Sequence, residues 1–130
     1  MLVIFDLHDL PPRPHATHLH TSVNCDAKTG LTSAGPILTL TPGSSTASWP
    51  KAAPKRVTCP TSSPAPTAHL HASTIANGFS IGNGKRSIFD KDDVVIVLDA
   101  RDDNYCTQPL DNAGDRIACG VVFRTRGPAK

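Results

Sequence analysis

Between Ala27 and Phe89 the chain carries no carboxylate, although it has eleven elsewhere, all Asp and none Glu. The same span holds seven of the twelve prolines, from Pro36 to Pro66, and most of the Ser and Thr. A soluble domain rarely leaves half its length without an acidic residue, so this composition reads as two unlike kinds of sequence joined together. The whole is 130 residues, one domain's worth of chain. Its net charge of +2 is too mild to argue for a nucleic-acid or membrane-surface partner. No stretch approaches the roughly 18 apolar residues that a membrane-crossing helix needs. Aromatic residues are only 5%, so the core must be built from Val, Ile, Leu and Ala.

Outside the acid-free span the readable elements are all β. Residues 1–7, MLVIFDL, have the length and apolarity of a strand, with neither a charged leader nor a small-residue cleavage site before it. The Pro11-Pro12-Arg13-Pro14 cluster predicts a turn, because proline cannot donate to a sheet ladder. His15 to His20 reads as a second strand, and Asn24 to Gly35 as a loop of turn formers. Asp93 to Asp99 is β-branched enough for a buried strand, and Arg116 to Phe123 makes the last one. No segment has a convincing helix start and period. From Pro36 to Arg86 no period of two or 3.6 survives, and the composition predicts an unstructured connector. A connector that long inside a compact domain is itself unusual.

Few residues carry chemistry. His18 and His20, two apart on a strand, present both imidazoles on one face, a pair suited to Cu, Zn, Fe or Ni. Read without context, such a pair is more often two half-exposed strand histidines. His69 and His71 repeat the spacing, but their setting marks the repeat as coincidence. Cys25 and Cys119 lie in ordered settings. If paired they would close a loop of roughly 95 residues, which chain entropy values at about 4–5 kcal/mol. Four unrelated thiols are the other reading, with Cys59 and Cys106 left over. Arg116 could steer a small anion at the mouth of a metal site, or be a surface arginine.

Together the ordered ends resemble copper/zinc superoxide dismutase. Asn112 to Val121, N-A-G-D-R-I-A-C-G-V, is similar to that family's closing signature N-A-G-x-R-x-A-C-G-V. Asp90 to Pro109 is similar to the preceding strand and loop, including the D-N-Y-x-T-x-P stretch of bacterial members. Leu10 to His20, L-P-P-R-P-H-A-T-H-L-H, resembles the turn and strand that carry two copper histidines, and Thr32 to Gly35 the lead-in to the next ligand. The resemblance implies an all-β Greek-key barrel or sandwich, here incomplete. It implies disproportionation of superoxide to oxygen and hydrogen peroxide at a copper site beside a zinc site, and it admits a homodimer. It makes His18 and His20 copper ligands, Arg116 the residue that guides superoxide, and Asp103 the aspartate that ties the two metal sites together. It pairs Cys25 with Cys119. Relatives of this type are periplasmic or secreted.

The departures from the family are specific. Asp99 stands where the family has a further copper histidine. The family's leading strand has no counterpart, so the chain reads as truncated. The bridging histidine and the remaining zinc ligands, due between Gly35 and Ser87, are not recognisable, which leaves no zinc site. A shifted reading frame accounts for this gap. If each hidden codon takes the third base of one visible codon and the first two of the next, Pro36 to Leu40 permits H-F-N-P and Thr46-Ala47 permits H-G. Val57 to Ser62 permits G-H-V-P-D-L, and Ala65 to Ala68 permits G-A-D-G. These are family motifs, in family order. The expectation is therefore a superoxide dismutase chain read out of frame from about Pro36 to about Lys85, and impaired or inactive. The alternatives are a non-catalytic copper- or zinc-binding protein using both His-x-His pairs, or a degraded gene product.

Overall fold

A computed structural model describes residues 1–38, 56–57, 68–76, 78–84, 87–89, 94–103 and 112–125. Its strands are β1 (Leu2–Leu10), β2 (His15–His20), β3 (Arg56–Val57), β4 (Ala68–Ile75), β5 (Val94–Asp99) and β6 (Arg116–Val122). Two short 3₁₀ turns, Ala27–Thr29 and Thr32–Ala34, are the helical segments among the described residues. The strands make a four-stranded antiparallel sheet in the order β3-β2-β5-β6 and a two-stranded ribbon, β1-β4. β2 and β5 are neighbours in the sheet although β3 and β4 lie between them in sequence, so the connection between them is a crossover. The molecule is an all-β sandwich, and among the described residues the sheets do not close into a barrel.

Period-two alternation explains how the layers meet. In β1, Val3, Phe5 and Leu7 turn inward while Leu2, Ile4, Asp6 and His8 face out. Phe5, Leu10 and Leu70 of the ribbon bury against Leu98 of β5, with Ile96 and Ala118 packed alongside, so this cluster is the seam between the sheets. β5 is buried along nearly its whole length, as an unbroken β-branched run demands. Its other face carries Val95 and Val97, fully buried beneath Ala34 and the Cys25–Cys119 pair.

Residues 36–86 are not wholly structureless, which corrects the expectation for that segment. Ala68–Ile75 pairs along β1, Arg56–Val57 pairs with β2, and Ser80 bridges Ser87. The physical reason is a short alternation that the surrounding Pro and Ser conceal. Leu70 is buried and Ala72 half-buried, while His69, His71 and Ser73 are exposed. Residues 39–55 and 58–67, and with them Cys59, lie outside the described residues, as do residues 104–111, and with them Cys106.

Candidate metal centre

The centre is built on the outward face of the four-stranded sheet. His18 and His20 on β2 stand opposite Val97 and Val95 of β5, so both imidazoles lie on the face covered by loop 21–35. Asp99 follows two residues after Val97 at the end of β5, where the register shifts between Leu98 and Asp99 and pairs Asp99 with Arg116. Cys25 and Cys119 are joined by a disulfide, with Cα atoms 5.7 Å apart. The bond ties the covering loop to β6.

His18 is clamped between two carboxylates. Its Nδ1–H donates to Asp99 Oδ2 at 2.8 Å and its Nε2–H to Asp103 Oδ2 at 3.2 Å. All three side chains are buried. Burial works against a charged imidazole, but the hydrogen bonds to Asp103 and then Asp99 outweigh it and hold the His18 pKa up at about 9. His18 is thus an imidazolium with both ring nitrogens committed.

His20 is the opposite case. Burial pushes its pKa down to about 4, against the pull of the Gly35 carbonyl and with the Arg116 cation adding to the drop. Its Nδ1–H donates to the Gly35 carbonyl at 2.8 Å, so the neutral ring leaves Nε2 bare. That nitrogen is buried without a hydrogen-bond partner. A carbonyl on one nitrogen and a free lone pair on the other is how a histidine is oriented to ligate a metal.

Arg116 meets the same carbonyl. Its Nη1 donates to Leu31 O at 2.8 Å and its Nη2 to Gly35 O at 3.0 Å. The Gly35 carbonyl therefore links the His20 imidazole to the guanidinium. Glycine is required there, since φ is +75° and a Cβ would stand 3.3 Å from Thr21 Oγ1 and Ser22 Cβ. The structure brings His18, Asp99 and Asp103 into one hydrogen-bonded cluster and His20, Gly35 and Arg116 into another. His15 is a further participant that the sequence reading passed over. Fully buried, it reaches the Asp99 carbonyl through Nδ1 at 2.8 Å and the Pro11 carbonyl through Nε2 at 2.9 Å, which braces the backbone of Asp99.

The two His-x-His pairs sit on different sheets, β2 and β4, and do not form a common site. Among the described residues one group brings three ligand atoms within 4.8 Å of one another, and it is Asp6, His8 and His69 on the ribbon. His18, His20 and Asp99 do not converge in this way. They do not fit the histidine-built copper site that the resemblance implies. One of the three donors is a carboxylate, a harder ligand than imidazole, and its oxygen is closed onto His18 Nδ1.

The chain belongs to the copper/zinc superoxide dismutase family, which it matches over residues 1–122. It is 44% identical over 39 residues to the copper–zinc superoxide dismutase of Caulobacter vibrioides, a stretch that covers 30% of this chain and 22% of that protein. In structure it is similar to a superoxide dismutase-like protein of Bacillus subtilis, with a TM-score of 0.70 at 18% identity over 92% of this chain and 81% of that one. A mutant of the same protein superposes with a TM-score of 0.75 at 19% identity, over 95% and 81%. These likenesses establish the fold.

Proposed function

We propose that this chain is a superoxide dismutase family protein in which the dismutation of superoxide to oxygen and hydrogen peroxide is strongly impaired. The observation that carries this reading is the Asp99 carboxylate, buried and hydrogen-bonded at 2.8 Å to His18 Nδ1. It occupies the place where the family has an imidazole, and it holds His18 as an imidazolium with no lone pair to offer. Arg116 keeps N–H donors beyond the two used on Leu31 and Gly35, which supports a role in drawing a small anion to the site. Asp103 is a positioning residue that acts through His18. Copper is the expected ion, and a zinc site is not expected in this chain.

Asp99→His tests the proposal. With copper added, the variant should bind the ion at least about tenfold more tightly than the parent and gain dismutase activity, because it restores a borderline-soft donor. Asp99→Asn, which loosens the hold on His18 but adds no imidazole, should gain less copper affinity than Asp99→His and no dismutase activity. Parent protein that dismutates superoxide well above the rate of free copper would overturn the reading.

The segment from about Pro36 to about Lys85 is proposed to be an out-of-frame translation of the family's metal-binding loop. Its support is the ordered set of hidden motifs in 36–68. The gene's nucleotides decide it: codons that cannot spell H-F-N-P and G-H-V-P-D-L in the shifted frame would end the proposal.

A further inference from the structure

The exposed face of the β1–β4 ribbon carries a second cluster, which the family chemistry does not use. Asp6 and His8 lie two apart on β1, and His69 and His71 two apart on β4, so all four project from the same outer face. The antiparallel register sets Asp6 against His71 and Leu7 against Leu70. The register then shifts between Leu7 and Leu10, and His8 comes to lie over His69 with ring centroids 4.2 Å apart and planes 23° from parallel. His69 Nε2 hydrogen-bonds Asp6 Oδ1, and His8 Nε2 is 4.0 Å from that same oxygen.

His8 and His69 each present a ring nitrogen beside the same Asp6 carboxylate oxygen. Ligands bound at about 2.0–2.1 Å to one ion stand at most about 4 Å apart. Around a tetrahedral ion that separation is about 3.3–3.4 Å. His8 Nε2 stands 4.0 Å from Asp6 Oδ1 and all three donor atoms lie within 4.8 Å of one another, so small side-chain shifts would bring them to that spacing. An entering ion would replace the proton that His69 shares with Asp6. Two imidazole nitrogens and one carboxylate oxygen suit a borderline divalent transition ion, whereas calcium and magnesium take oxygen ligands.

We propose that Asp6, His8 and His69 form a surface binding site for zinc(II) or copper(II), separate from the His18/His20 centre, with His71 placed to supply a further imidazole. The site clamps β1 to β4 from outside, across the strand pair whose inner face is part of the sandwich core. It does not depend on whether the family reaction survives in this chain.

The test uses the full chain, titrated with zinc chloride by calorimetry while the imidazole resonances of its histidines are followed by NMR. Zinc should shift the His8 and His69 resonances first. Loss of an outer-sphere partner costs metal sites about 10–100-fold in affinity, so His8→Gln and His69→Gln, which remove direct donors, should each weaken this binding at least about tenfold. Asp6→Asn should weaken it in the same direction. All three positions are exposed, and unchanged circular dichroism and melting temperature establish that the variants remain folded. Zinc that moves only His18 or His20, or that binds the folded variants as tightly as the parent, would overturn the proposal. So would a parent chain that takes up no zinc at all, which would leave an Asp6–His69 hydrogen bond as the whole content of the cluster.

Discussion

Asp9, Leu31 and Asn112 hold left-handed backbone, with φ of +59°, +62° and +58°, and the first two show how the same geometry can have opposite consequences. An L residue in this region costs roughly 1–2 kcal/mol, and Asp tolerates it better than most. Asp9 is exposed and sits where the β1 register shifts, so Asp9→Gly should stabilise the protein by roughly 0.5–1 kcal/mol. Leu31 is bulky, buried, and offers its carbonyl to Arg116. Removing its side chain forfeits about 1.5–3 kcal/mol of burial, more than the strain it relieves. Leu31→Gly should therefore lower stability while Asp9→Gly raises it, and urea denaturation of the two variants measures both. The family signature around Arg116 made that residue legible in the sequence. Nothing in the sequence singled out the Leu31 and Gly35 carbonyls that hold it, because a backbone acceptor has no side-chain signal.

At the scale of the element, β2, β5 and β6 were readable because their patterns are clean. β5 is β-branched from Val94 to Val97, and β2 and β6 carry specific motifs. β1 was read as a strand, though it runs three residues further than its apolar opening. β4 was hidden, since among its described side chains AHLHASTI shows Leu70 and Ala72 on its inner face, and it lies next to a Pro- and Ser-rich tract. The strand has a direct test. Leu70 is 4% exposed in a cluster with Phe5, Leu10 and Leu98. Leu70→Ala should cost about 2–5 kcal/mol, against within about 0.5 kcal/mol for Ser73→Ala on the outer face. Equal, negligible effects would mean that residues 68–75 contribute no packed strand. The Cys25–Cys119 bond works at the same scale. It spans 94 residues of sequence, worth about 4–5 kcal/mol by chain entropy, and fixes loop 21–35 over the centre.

For the molecule as a whole, the two histidines of the centre titrate in opposite senses, and their sum shapes stability against pH. His18, held near 9 between Asp103 and Asp99, is protonated in the folded protein and loses its proton in the unfolded chain above about 6.5. Between those values the folded state binds more protons. Its contribution is complete below about 6.5 and is lost as pH rises through 9. His20, pushed down to about 4 by burial and by the neighbouring Arg116, stays neutral when folded and takes a proton when unfolded below about 6.5. Its contribution is present above that value and is lost as pH falls through 4. The melting temperature of metal-free protein should thus peak near the ordinary histidine pKa of about 6.5 and fall on both sides. His18→Gln should flatten the alkaline limb and His20→Gln the acid limb, each leaving the other in place. An alkaline limb that persists in His18→Gln would show that the Asp99–His18–Asp103 clamp does not control it, and with that the barrier to copper argued from Asp99 would lose its footing.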